Sequence, residues 1–417
     1  MNIEHMTWSE NAGWRSEPET PVLGEQAQIV LLFGAANRMR ASRAFELCKQ
    51  HYPKAHVLGC STAGQIQGTD VTLDTVALTA IAFEHTPVKV ARVRMNGPED
   101  SFEAGRTLVQ SLPAEGLRHV LVLSEVIQVD ANQVVAGINA ALPPGVTVSG
   151  GFSADGDRQQ LSHIWCDGDP EQSSVAAIGL YGNRVRVGSA ATGLWGQFGP
   201  LRTITKSRGN VLYELDGRSA LAIYKEYLGE LASALPAAGL LFPLAVSVGD
   251  TGRSVLRGLL NVDESTQSMR FAGSMPEGSE ARMMMGTIER LVDDTLTAAG
   301  ESMAPLGGVT PQLAILVSCN GRRHVLKQRV EEEVEAVKEV VGDGAVLTGF
   351  YSCGEIAPMR ASRRAPEAMS RFVAANAGNN PKLIVVNAAS AVAAMKTRPS
   401  MWMSIGSRPR PIIMDNA

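Results

Sequence analysis

Three stretches of this chain place hydroxyl, thiol and carboxylate groups directly after an apolar run that ends in glycine. They are Val57-Leu58-Gly59-Cys60-Ser61-Thr62-Ala63-Gly64-Gln65-Ile66, Val146-Thr147-Val148-Ser149-Gly150-Gly151-Phe152-Ser153-Ala154-Asp155-Gly156 and Gly349-Phe350-Tyr351-Ser352-Cys353-Gly354-Glu355-Ile356-Ala357-Pro358. Glycine tolerates positive φ and lets main-chain N–H groups approach a bound group closely, so each turn suits recognition of a small polar ligand at a strand end. A strand-to-helix turn also needs glycine on geometric grounds. One such turn therefore says little, and three argue for one site. Its candidate residues are Gly59, Cys60, Ser61, Thr62, Gly64 and Gln65 from the first turn, Gly151, Ser153 and Asp155 from the second, and Tyr351, Gly354 and Glu355 from the third. Glu355, Asp155 and the backbone N–H groups would hold the ammonium and carboxylate of an amino acid or a similar metabolite.

Catalytic patterns are weaker. Cys353 beside Glu355 and Cys60 beside Ser61 have the types needed by a cysteine-dependent transferase, yet neither motif carries a histidine to act as base. The chain has no GxSxG elbow, no GxxxxGK[ST] loop, no GxGxxG after a strand and no HExxH. Asp250-Thr251-Gly252 matches the aspartic-protease triplet, but no second triplet exists to share a proton with it, and a tight turn accounts for it. Recognition without catalysis is the expectation.

Strands and helices alternate around the three turns. Gln28 to Phe33 reads as a strand, Ser42 to His51 as a helix, and Thr75 to Glu84 with Val88 to Arg94 as an antiparallel pair. Asp130 is placed to cap a helix over 131–142, ahead of the second turn. Leu161 to Cys166, Val175 to Tyr181 and Arg184 to Ala190 follow as strands, the last two joined at Gly182-Asn183 as a hairpin, and Gly193 to Asn210 reads as irregular. The second half repeats the order, with helices expected over 280–298 and 322–341, the latter exposing Glu331, Glu332, Glu333 and Lys338 opposite a valine stripe. The fold class is α/β: two related mixed-sheet halves whose strand-end glycine turns form a shared or paired pocket. The expected divisions are a polar leader over 1–25, an N-terminal half over 26–195, a C-terminal half over 196–358, and a divergent tail over 359–417 in which Leu383 to Asn387 would be a final strand.

Composition narrows the function. Of 417 residues, 45% are hydrophobic and 19% charged, a balance ordinary for a globular chain long enough to bury more than one core. With 42 acids against 38 bases the formal charge is −4, which gives no basic footprint for nucleic acid. No apolar stretch reaches the length of a membrane span, and the first residues lack the pattern of a signal peptide. Five cysteines without a CxxC pair point to reduced thiols and a cytoplasmic setting.

The same motifs resemble those of the FIST sensory family. The resemblance rests on Cys60-Ser61-Thr62-Ala63-Gly64, on Gly150-Gly151 with Asp155-Gly156, and on Gly349-Phe350-Tyr351 with Gly354-Glu355-Ile356-Ala357. It extends to the middle run Leu180-Tyr181-Gly182, Phe198-Gly199-Pro200 and Asn210 to Gly217, similar to the junction of the family's two halves, and covers roughly Gln26 to Pro358. Gln65 stands where the family usually has Glu, and after Pro358 the family's His-Asn-x-Thr strand is replaced by Met359-Arg360-Ala361-Ser362. The resemblance implies a small-ligand sensory protein of signal transduction. It includes stand-alone haemoproteins that bind nitric oxide and regulate a partner histidine kinase or cyclic-di-nucleotide enzyme.

Haem would need an axial ligand, an apolar slot and cations for its propionates. Of seven histidines, His163 is the first axial candidate, since it alternates with Leu161 and Trp165 on one strand face; His324 is the runner-up. Arg184, Arg186, Arg202, Lys206 and Arg208 would meet the propionates or an acidic partner, or form a solvated face. Without haem, the alternative is the amino-acid or small-metabolite sensor.

Overall fold

Apolar runs that fill both faces of a strand favour parallel pairing under a covering helix, and the chain uses this unit three times. Ile29–Gly34 leads through helices Ala36–Ala41 and Ala44–His51 to the parallel strand His56–Ser61. Leu117–Ser124 leads through helix Ala131–Ala141 to Thr147–Phe152. Leu313–Cys319 leads through helices Asn320–Leu326 and Val330–Val341 to Val346–Ser352. The computed structural model describes residues 1–156, 161–192, 195–247 and 254–358, with the backbone alone at 382–388 and 392–393. Asp250-Thr251-Gly252 and most of the tail beyond Pro358 lie outside the described residues.

Each unit is the centre of a six-stranded mixed sheet. After its glycine turn, each passes its next strand to a neighbouring sheet. The first unit delivers Gln65–Gln67 to the edge of Val346–Ser352 in the third. The third delivers Glu355–Ile356 to Thr147–Phe152 in the second. The second delivers Ile164–Cys166 to His56–Ser61 in the first, which closes the cycle. Inner faces of all three sheets share one core, with Phe33 and Leu58, Leu123 and Ile178, Ile315 and Phe350 among its members. The outer face of each is covered by its own helices.

A fourth sheet, of eight strands, stands apart. Its two ends are Ser254–Arg257 and Leu259–Asp263, consecutive pieces of chain separated by Gly258, so the sheet curls round and shares one bent strand between its ends. The long strand Gly196–Arg208 makes the opposite bend through a register shift between Gln197 and Leu201. Helix Ala220–Leu228 plugs the interior with Leu221, Ile223 and Tyr224.

Several expectations are corrected, mostly because a strand has only two edges. Val76–Ala82 is flanked by Asn2–Ser9 and Ile29–Gly34, so Val88–Arg94 pairs elsewhere, with Ser174–Tyr181. Ser174–Tyr181 is in turn flanked by Leu117–Ser124, so Gly182-Asn183 cannot make a hairpin, and Arg186–Thr192 pairs with Lys382–Ala388 in the third sheet. The first 25 residues, polar by composition, contain the hairpin Asn2–Ser9 and Gly13–Glu17 at the edge of the first sheet. Buried Glu4 fixes it by accepting hydrogen bonds from the Val22 and Leu23 N–H groups at 2.6 and 2.9 Å and from Tyr52 OH at 2.9 Å. The segment 193–210, expected to be irregular, contains the strand Gly196–Arg208. The helix expected over 280–298 is strand Glu280–Met285, burying Ala281 and Met283 at a period of two, followed by helix Ile288–Met303 with Thr287 as its cap. The helix expected over 42–51 begins at Ala44, just after Arg43 at φ 51°, and the one expected over 322–341 is broken by Lys327 at φ 54°. Asp130 caps its helix as its position predicts, accepting from the N–H groups of Asn132 and Gln133.

His119 lies inside the second sheet, fully buried, with Nδ1 2.7 Å from Thr147 Oγ1 and Nε2 2.8 Å from Ser149 Oγ. Burial pushes its pKa down to about 3. Below the unfolded value near 6.5 the unfolded chain binds a proton that the native imidazole refuses, so stability falls as pH drops through that window. Urea unfolding at pH 7.5 and pH 5 should show a loss of about 2 kcal/mol from this residue. The loss should shrink by that amount in His119→Asn; an unchanged slope in the variant would contradict the assignment.

Candidate functional site

The three glycine turns meet. In each unit the second strand carries a glycine in register with an apolar residue of the first: Gly59 opposite Leu32, Gly150 opposite Val122, Gly349 opposite Leu316. A Cβ at these places would stand 2.2, 1.8 and 1.9 Å from the facing carbonyl oxygen. The chain then crosses. Ala63 N–H donates to Tyr351 O and Tyr351 N–H to Gly64 O, both at 2.9 Å. Phe152 N–H donates to Gly354 O and Ala154 N–H to Ser61 O, both at 2.8 Å. Gly151 pairs with Glu355, and a Cβ on Gly151 would lie 2.8 Å from Val317 Cγ1.

All the candidate residues of the turns are thus drawn to one seam, and all are buried: Gly59, Cys60, Ser61, Thr62, Gly64, Gln65, Gly151, Ser153, Asp155, Tyr351, Gly354 and Glu355. Their side chains largely engage one another or the backbone. Gln65 meets Thr62 Oγ1 at 2.6 Å and Thr75 Oγ1 at 3.0 Å. Ser352 Oγ donates to Glu355 at 2.7 Å, and Asp155 accepts from Leu161 N–H at 3.0 Å. Ser153 Oγ is buried with no hydrogen-bond partner among the described residues.

Glu333, expected in solvent with its acidic neighbours, is fully buried. It receives Arg322 Nε at 2.6 Å, Thr295 Oγ1 at 3.0 Å, Ser318 Oγ at 2.8 Å and Tyr351 OH at 2.9 Å. Arg322, also fully buried, reaches Asp294 at 3.1 Å and the Leu291 carbonyl at 2.6 Å. Burial and the Glu333 carboxylate hold the Tyr351 phenol well above its usual range. Sequence reasoning missed this cluster because a charge run on a helix reads as solvated. The available signal was that Glu333 sits one turn before buried Val337.

Beside the seam lies an open cleft of about 480 Å³ lined by Met39, Arg40, Arg43, Ala44, Phe45, Glu46, Trp165, Asp169 and Pro170. No sequence motif marked Arg40, Arg43 or Asp169; Trp165 alone was noted, for its place beside His163. Arg43 and Glu46 stand 3.8 Å apart, and the N-terminus of helix Ala44–His51 has no side-chain cap. His163 joins cleft to seam. Its N–H donates to Ser61 Oγ and its carbonyl accepts from Ser61 N–H, both at 3.0 Å. Its ring centroid is 5.7 Å from that of Trp165.

The remaining candidates are scattered. His324 is half-buried beside Arg323 at 3.5 Å, on the helix of the third unit. The basic segment is not one face: Arg202 binds Asp216 at 3.0 Å, Lys206 approaches Glu214 at 3.7 Å, and Arg186 donates to the Leu306 carbonyl at 3.3 Å. Burial pushes the Cys60 thiol well up and the Cys48 and Cys166 thiols to about 12, the opposite of an activated nucleophile. Cys353 is half-buried.

Comparison with known families gives two adjoining matches. Residues 28–218 match the FIST N domain and residues 220–358 the FIST C domain. No curated protein matches the chain. No helix among the described residues is long and apolar enough to cross a membrane.

Two substitutions test the seam. Glu333→Gln leaves Arg322 without its closest carboxylate in a dry interior and should lower the urea unfolding free energy by about 3 kcal/mol or more. Gly349→Ala forces a methyl group into the Leu316 carbonyl and should cost at least as much. Near-neutral values for both would contradict the packing described.

Proposed function

The chain belongs to the FIST family, whose domains are sensory modules of signal transduction that bind small ligands, and we propose that it senses an amino acid or a similar zwitterionic metabolite in the cleft beside the seam. The observation that supports this reading is the cleft's composition. Its volume of about 480 Å³ lies within the range of small-molecule sites, roughly 300–1,000 Å³. Arg40, Arg43 and the uncapped helix N-terminus suit a carboxylate, Asp169 and Glu46 suit an ammonium, and Met39, Phe45 and Trp165 suit an apolar side chain. Glu355 and Asp155, the sequence candidates for that task, are buried in the seam and serve it indirectly. The protein is read as non-enzymatic and cytoplasmic, passing its signal to a partner such as a histidine kinase or a cyclic-di-nucleotide enzyme.

Haem with nitric oxide is the competing reading. The cleft holds suitable cations and apolar walls, but the axial group does not fit as it stands. His163 is 6% exposed and is not among the lining residues, while His324 lies against Arg323 on the third unit. A cysteine-dependent transferase finds no support at Cys60, whose thiol burial holds well above its ordinary pKa, which leaves Cys353 as its candidate nucleophile.

A thermal-shift screen of the twenty amino acids decides among these. At a hundredfold excess over its dissociation constant, a cleft ligand should add about 2.7 kcal/mol, several degrees in melting temperature. The gain should disappear in Arg40→Ala/Arg43→Ala. A flat screen, together with a haemin Soret band that shifts with reduction and nitric oxide and is lost in His163→Ala, would replace the metabolite with haem.

A further inference from the structure

We propose that Trp14, in the N-terminal hairpin, is a positioning residue for the cleft: by holding the Ser42 carbonyl it keeps the break between helices Ala36–Ala41 and Ala44–His51, and that break sets Arg40 and Arg43 on the cleft wall, where the ligand carboxylate binds. The inference rests on the cleft reading above and adds the element that shapes the site.

The cleft is built on the break. Met39 and Arg40 line it from the helix before, Ala44, Phe45 and Glu46 from the helix after, and Arg43 from the junction itself. Arg43 stands there at φ 51° and ψ 41°, a left-handed conformation that is unfavourable for a residue with a Cβ and persists only where its surroundings hold it. In an unbroken helix the Ser42 carbonyl would accept from Glu46 N–H, four residues on. Here helix Ala44–His51 opens with Leu47 N–H on the Arg43 carbonyl at 3.1 Å, and the Ser42 carbonyl accepts from Trp14 Nε1 at 2.9 Å instead.

The hairpin grips both helices. Glu4 accepts from Tyr52 OH at 2.9 Å, just past the end of the second helix, and Glu10 pairs with Arg38 on the first. Trp8 and Trp14 stand opposite each other in the hairpin register, and both are half-buried against the cluster that holds Met39, Ala44 and Phe45. Of the two, Trp14 adds a hydrogen bond to the break. Without that donor the Ser42 carbonyl is free for Glu46 N–H and Arg43 can relax into the right-handed region, which straightens the helix pair and moves Arg40 relative to Phe45 and Glu46. The hairpin precedes the stretch 28–218 that matches the FIST N domain, so this control of the cleft comes from outside the matched residues.

Trp14→Phe keeps an aromatic ring and removes the donor, while Trp8→Phe trims the opposite ring by the same amount and serves as the control for packing. In the isotope-labelled whole chain, amide exchange read by NMR should be about fivefold slower at Glu46 in Trp14→Phe than in the wild type, because the amide gains an acceptor, and unchanged in Trp8→Phe. Sodium acetate, the simplest carboxylate, is then exchanged for sodium chloride at constant ionic strength. The midpoint of the Arg43 and Phe45 amide shifts should rise about fivefold in Trp14→Phe and stay in place in Trp8→Phe. An unchanged Glu46 amide in Trp14→Phe, or an equal change of either quantity in Trp8→Phe, overturns the positioning role. An acetate response that Trp14→Phe leaves unmoved overturns Trp14 alone, whereas a wild type whose amides ignore acetate removes the carboxylate reading of the cleft and the role of Trp14 with it.

Discussion

The three-sheet body depends on a close approach of backbone to backbone inside each parallel strand pair. Gly59, Gly150 and Gly349 each face a carbonyl oxygen at a distance that no Cβ can occupy. This lets the second strand of each unit sit tightly against the first, and just beyond that point the chain leaves its sheet and joins the next. Because the three crossings form a cycle, each of the three sheets carries a strand from its neighbour and lends one in turn. No sheet can be withdrawn without unpairing another. A shared apolar core lies inside the ring, and helices cover the outside.

Buried carboxylates tie loops and helices to this frame. Glu4 holds the N–H groups that follow the first hairpin, Glu125 holds the loop after the second unit's first strand, and Glu333 collects Arg322, Thr295, Ser318 and Tyr351. A buried charge stabilises only when its geometry is complete. Glu333 meets that condition, and through Tyr351 it connects the helix of the third unit to the turn that receives Ala63 and Gly64. The polar groups of the seam therefore look structural in their present state, with Ser153 Oγ and His163 Nδ1 as the atoms still open to a new partner among the described residues.

On the proposed reading, recognition lies at the edge and response at the centre. The cleft is bounded by the helices of the first unit and by Trp165, on the strand that the second unit contributes. A ligand there touches two units at once. A ligand shifts a conformational equilibrium only by its differential affinity for the two states, and a site that spans two units has that leverage because its walls belong to separate crossing segments. The curled eight-stranded sheet stands to one side of this, sharing its contact with the body through residues such as Arg257, whose guanidinium reaches Asn132 Oδ1 at 3.3 Å.

Local signals in the sequence were enough for the α/β class, for the three glycine turns and for their common destination, because glycine at a strand end is demanded by the backbone within a few residues. The apolar runs identified the parallel strands for the same reason. Partner choice was decided elsewhere. Whether Ser174–Tyr181 forms a hairpin depends on which strands already hold its edges, and on one side those partners lie from 80 positions away at Ser174–Arg94 to 92 at Leu180–Val88. Likewise Glu333 and Arg40 are both charged side chains on helices of ordinary pattern. Only the tertiary structure buried the first in a dry network and left the second on the wall of a cleft, since burial of a charge is set by the neighbours that other segments bring to it.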